Sequence, residues 1–322
     1  MRRPLALFAG LLLGLLAAEV GVRVSGVEAR LITPLLPVQV SDLEIHVPLE
    51  DPVRLYGLKP DTSVALPSGW DWHPEPRQVT LNPQGFRGPP AGERAPGVTR
   101  ILCLGGSNTF GAAVSDDETW PAQLGALLGP RVEVLNLGVS GYMGRQKVAF
   151  GREWLDGADV VLLQVYNEGR RFTLYGTPVD WRLRTAPGLY AEVLAGAPEP
   201  GEGAWGALFF GSALARVAVV GLNRRWHQDP ATDPTPQLIA RATALDRAAV
   251  AAFLADSPVP VLAVVPPRGA ELPVPMDTID LSALAPPPLP DAREIHPGAA
   301  VYRWYAEQIA AALRARGYVG TE

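Results

Sequence analysis

The chain has 322 residues, 48% of them hydrophobic, which is enough for one full core of about 200 residues with extensions around it. A net charge of -5 with no basic block argues against a nucleic-acid partner. The single cysteine, Cys103, excludes an internal disulfide and reads as a small buried thiol inside an apolar strand.

Arg2 and Arg3 precede an apolar stretch from Pro4 to about Val22, broken only by Glu19. That order is a charged n-region followed by an h-region, so residues 1–24 are expected to be a signal or anchor segment. Leu5–Ala18 alone is short for a span of about 20 residues, but Val20–Val24 extends it, with Glu19 and Arg23 near an interface. No good small-residue cleavage site follows, which favours an uncleaved membrane helix over a cleaved signal peptide. The positive-inside rule then puts the bulk of the chain outside the cytoplasm, in the periplasm or cell envelope, or secreted if the segment is cleaved.

Residues 25–98 are rich in proline and turn formers, with short alternations such as Leu43–Val47, and read as a loop-rich extension carrying a few strands. Trp70, Trp72 and His73 within it read as aromatic packing against the main domain. His46, His73 and His227 have no chemical context and read as packing or surface residues.

The main domain begins with R-I-L-C-L-G-G-S-N-T-F-G, Arg100–Gly111. Ile101–Leu104 suits a buried strand, Gly105 and Gly106 allow a sharp turn, and Ser107 follows at the strand's carboxyl end. The spacing fits neither a phosphate-binding P-loop nor a dinucleotide fingerprint, and Thr109 stands where the G-x-S-x-G elbow needs glycine. Ser115–Glu118 matches a capping box, with Pro121 in the first turn of a helix that runs to about Leu128. Arg131–Val139 is a second strand delivering Gly138–Gly141, Tyr142–Leu155 is helical, and Ala158–Tyr166 is a third, almost wholly apolar strand.

A polar cluster, Tyr166-Asn167-Glu168-Gly169-Arg170-Arg171, follows immediately. Tyr166, Glu168 and Arg170 are candidates for substrate contact, with solvated charge the alternative for Arg170. Residues 172–236 form an insertion, a candidate cover for the site, in which Leu208–Val220 suits a buried or interfacial helix. In Gln237–Leu254, Leu238, Ala242, Leu245, Ala249 and Phe253 fall on one helical face. A strand at Val259–Val265 follows, then proline-rich segments, the run Asp291–Pro297, and a last helix over Ala299–Arg316. Strands alternating with helices predict an α/β fold with a mostly parallel sheet, whose strand ends converge on one edge.

Four separated signals together resemble the SGNH/GDSL hydrolase superfamily. Gly105-Gly106-Ser107 looks like its first block, Asn136–Gly141 like its glycine block, Asn167-Glu168 like its asparagine block, and His296-Pro297 like its histidine block. Leu58-Lys59-Pro60 and Asn82–Gly88 resemble bacterial membrane-linked members. The resemblance spans about Leu58 to the C-terminus, so residues 99–318 are expected to be an SGNH hydrolase-like domain.

The resemblance implies a three-layer α/β/α, flavodoxin-like SGNH fold and ester hydrolysis through an acyl-enzyme, with no metal or cofactor. By that resemblance Ser107 is the nucleophile and His296 its base, while the oxyanion is held by the backbone N–H groups of Ser107 and Gly141 and by the side chain of Asn167. The family's acid stands three residues before the histidine, where this chain has Arg293. Asp291 and Glu294 are the local carboxylates that could orient His296, leaving open a triad, a dyad, or an inactive descendant. The expected substrate is an acylated envelope carbohydrate or lipid, hydrolysed or transferred. The alternative is a catalytically weak or inactive carbohydrate-binding or assembly protein on the same fold.

Overall fold

The computed structural model describes residues 2–32, 45–67, 75–165, 203–223, 235–292 and 294–320. Four strands belong to the extension, β1 (His46–Pro48), β2 (Tyr56–Leu58), β3 (Thr62–Leu66) and β4 (Arg77–Leu81), paired as two antiparallel hairpins. The main sheet contains β5 (Thr99–Gly105), β6 (Val132–Gly138), β7 (Val160–Gln164), β8 (Val261–Val265) and β9 (Thr278–Asp280). Its order is β6-β5-β7-β8-β9 and every pairing is parallel.

The central strands β5, β7 and β8 read as near-continuous apolar runs because helices cover both faces. On one face, Ile101, Cys103, Val160, Leu162, Leu262 and Val264 pack against α4 (Trp120–Leu128) and α9 (Ala299–Ala315). On the other, Leu102, Leu104, Leu135, Leu137, Val161 and Leu163 pack against α5 (Gly144–Arg152) and α8 (Thr235–Asp256). The extension joins that second layer through Ile45, Tyr56, Leu58, Val79, Leu81 and Phe86, all buried. The result is a three-layer α/β/α domain. In the order 2-1-3-4-5 the chain reverses direction across the sheet between β5 and β7, and ligands bind at the carboxyl ends of strands at that switch point.

Several expected elements differ in detail. The capping box at Ser115 and Glu118 is present but closes a 3₁₀ turn, Asp116–Glu118. A separate helix, α4, then starts behind Thr119, whose hydroxyl accepts from Ala122 N and caps it. The predicted apolar face of the long helix holds at Phe253, which is buried, and at Ala249, which packs partly buried on the core, but Leu245 is 38% exposed and Asp246 and Val250 point inward instead. Asp246 is drawn in because Oδ1 accepts from Arg145 N at the start of α5 and pairs with the Arg145 guanidinium at 3.1 Å. Strand β9 lies in the stretch read as proline-rich connection, and a short helix α2 (Val27–Ile32) lies in the extension. Trp70, Trp72, His73 and His227 lie outside the described residues. Cys103 is fully buried, as its neighbours required, and burial pushes its thiol well above the usual range.

At the amino terminus α1 (Arg2–Ser25) contains a stretch, Ala6–Ser25, with mean hydropathy 1.9 and no burial. Of two helices in the insertion, α6 (Gly203–Gly211) and α7 (Ala213–Asn223), α7 packs against α6, α1 and α2.

Candidate active site

Two glycines allow the turn that carries Ser107 to form. Gly105 and Gly138 are register partners at the carboxyl ends of β5 and β6. A four-residue helix, α3 (Ser107–Phe110), rests directly on them. A Cβ on Gly105 would lie 1.9 Å from Thr109 Oγ1, and one on Gly138 would lie 2.2 Å from Phe110 N. Gly106 precedes α3, and Gly111 closes it with φ +82°, a left-handed conformation suited to glycine. Beneath the turn, Thr109 is fully buried and its hydroxyl donates to Gln164 Oε1 at 2.6 Å, tying α3 to the end of β7.

Ser107 Oγ lies 2.7 Å from His296 Nε2. The histidine arrives 189 residues later, on the loop before α9. That loop is tied to α3 because Asn108 Nδ2 donates to Ile295 O at 3.0 Å. Burial first, and then the nearby positive charge of Arg77, lower the His296 pKa to about 4. The imidazole is therefore neutral at neutral pH, the state in which Nε2 can accept the Ser107 proton.

Gly141 lies in the loop after β6, with φ +79°. Its loop is held against the Ser107 turn, since Val139 N donates to Gly105 O at 3.1 Å. The carboxylate of Asp291 accepts from Gly298 N, the residue that caps α9, and Glu294 is exposed. Tyr166, Asn167, Glu168, Arg170 and Arg293 lie outside the described residues.

The extension contributes groups around this turn that sequence reasoning did not single out. Arg87, 2% exposed, donates from Nη1 to Phe110 O and Gly111 O, from Nη2 to Gln78 O and Val114 O, and from Nε to Asp116. Its guanidinium also stacks 5.0 Å from the Phe110 ring. Tyr56 donates to Ser140 O at 2.9 Å, and Tyr142 donates to Tyr56 O, so β2 holds the Gly141 loop. Arg77 of β4 supplies the charge acting on His296, and its Nη1 donates to Pro67 O at 2.8 Å. The Asn82–Gly88 run carries Arg87, so a signal was present, but its long-range acceptors were not legible. Among the described residues no group of His, Cys, Asp and Glu is arranged to hold a metal ion.

The fold is thus a parallel α/β/α sandwich, and a serine–histidine pair sits at its switch point. No protein-family model matches the chain, and no curated protein matches it either. Similar solved structures include one described as a lipolytic protein of the G-D-S-L family from Desulfitobacterium hafniense DCB-2, at 16% identity and a TM-score of 0.29. The match covers 66% of this chain and 98% of that one. Another is Est24, a carbohydrate acetylesterase from Sinorhizobium meliloti, at 15% identity and a TM-score of 0.23, covering 69% of this chain and 81% of that one.

Proposed function

We propose that this protein is a serine ester hydrolase of the SGNH type, anchored by α1 with its bulk outside the cytoplasm, acting on O-acyl groups of an envelope carbohydrate or lipid. The observation that carries the reading is the 2.7 Å contact between Ser107 Oγ and His296 Nε2 at the sheet's switch point. In the proposed reaction, Ser107 Oγ attacks the ester carbonyl carbon as its proton passes to His296 Nε2. The tetrahedral oxyanion is met by the N–H groups of Ser107 and Gly141 and, by the family resemblance, the Asn167 amide. Collapse breaks the bond to the alcohol, which leaves with the proton from His296. Water, deprotonated by the same imidazole, then frees the acid. A sugar hydroxyl in place of that water gives acyl transfer by the same steps.

A second reading is a weakly catalytic or binding protein on this fold, suggested by Arg293 standing where the family resemblance places the acid. Steady-state turnover of p-nitrophenyl acetate by the full chain separates the two. The esterase reading expects activity that Ser107→Ala and His296→Ala each remove; activity that survives in Ser107→Ala, or none in the parent, overturns it.

A further inference from the structure

From the packing at the amino terminus, we infer that the α6–α7 hairpin of the insertion lies in the outer interface of the bilayer, pressing the exposed apolar face of α6 into lipid beside α1. The inference rests on the reading of α1 as a membrane helix. Ala6–Ser25 is 20 residues long, about 30 Å of helix, which matches the hydrocarbon thickness of a bilayer. The hairpin is fastened to the carboxyl-terminal third of that helix. Glu19 accepts from Ser212 Oγ at 2.8 Å and from Ala213 N and Leu214 N, each at 2.9 Å, so one carboxylate of α1 caps the first turn of α7. Arg23 donates to Glu19 at 2.6 Å and to Gly211 O, the last carbonyl of α6, at 2.8 Å. The turn between α6 and α7 is thereby fixed at the depth of Glu19.

The remaining charges in this assembly follow the same pattern. Arg216, 2% exposed, pairs with Glu28 of α2 and donates to the carbonyls of Phe209 and Phe210. Ionisable groups that face inward are therefore matched, as a low-dielectric setting requires. Meanwhile α6, G-A-W-G-A-L-F-F-G, contains no polar side chain. It buries Phe209 and turns Trp205 and Leu208 outward, 42% and 54% exposed, and the leucines of α1 are exposed as well. An apolar helix face attached to a helix of span length and hydropathy has lipid as its neighbour, and a tryptophan is well suited to the headgroup level.

The test uses the full chain in phosphatidylethanolamine/phosphatidylglycerol nanodiscs. Nitroxides are placed one at a time by Leu12→Cys, Leu208→Cys and Leu284→Cys in a Cys103→Ala background, and relaxation by oxygen is compared with relaxation by a water-soluble nickel chelate. The labels at positions 12 and 208 are expected to be relaxed by oxygen and protected from nickel, and the label at 284 the reverse. Nickel relaxation at 208 with position 12 still in lipid overturns the inference and leaves the anchor standing. Protection of 208 from both agents means a protein partner and also overturns it. A nickel-accessible label at 12 removes the anchor and the inference together. Fluorophosphonate labelling of each variant reports the esterase reading separately, because none of the three substitutions changes Ser107 or His296.

Discussion

Replacing Gly138 by alanine perturbs Ser107, the proposed nucleophile, without altering Ser107 or His296 themselves. The added methyl would lie 2.2 Å from Phe110 N, 2.6 Å from Thr109 C and 2.8 Å from Phe110 Cα, all backbone atoms. Ordinary contact begins near 3.4 Å, so α3 must retreat by roughly 1.2 Å or the strand end must give way. Ser107 is the first residue of α3 and moves with it. A shift of that size along the bond opens the 2.7 Å Ser107–His296 contact to about 3.9 Å, beyond hydrogen-bond range. The expected cost is about 10²-fold in kcat/KM for p-nitrophenyl acetate, with about 1–3 kcal/mol lost in denaturant unfolding. Gly106→Ala is the matched control. Its methyl would meet nothing closer than Tyr142 O at 3.6 Å, and φ is -94°, so stability should stay within about 0.5 kcal/mol of the parent. A Gly138→Ala protein with parental stability and activity, or a Gly106→Ala protein destabilised as much, would refute the reasoning.

Other outcomes follow from the same geometry. Because burial and Arg77 lower His296 to about 4, the acid limb of the kcat/KM profile should fall near pH 4, and activity should be flat from about pH 5.5 to neutrality. An acid limb near 6.5 would show an exposed imidazole. Arg77→Met removes a charge that opposes imidazolium, so the limb should move upward in pH, read from the same profile. Arg87→Met leaves four backbone carbonyls without their buried donor and Asp116 without its cation, and should cost at least about 3 kcal/mol in urea unfolding. Tyr56→Phe removes the hydrogen bond to Ser140 O, costing about 1 kcal/mol of stability, and should lower kcat more than it raises KM because the Gly141 loop loosens.

Much of this organisation was legible because burial on both faces writes long apolar runs. The β5, β6, β7 and β8 strands and the final helix stand out for that reason, and the turn glycines mark where Ser107 must sit. What escaped reading depends on partners far away in the chain. The three residues of β9 are too short for a periodic signal and lie among prolines, so only the neighbouring β8 identifies them as a strand. Leu245 looked inward by helical spacing, yet Asp246 occupies the inner face because Arg145 and the start of α5 are there to receive it. Arg87 reads as one basic residue in a turn motif, and only the fold brings five acceptors around it. The extension is therefore more than a lead. Tyr56, Arg77 and Arg87 brace or tune the Gly141 loop, His296 and the segment after Ser107. The motif order paired Ser107 with His296, whereas the environment of the imidazole required coordinates.

The most direct test of the proposed chemistry is covalent capture. The full chain, treated with a fluorophosphonate and digested, should yield one phosphonylated peptide carrying the adduct on Ser107, at a rate that falls by about 10³-fold or more in His296→Ala. Labelling at another serine, or labelling of Ser107 that is indifferent to loss of His296, would contradict the assignment of these two residues as nucleophile and base.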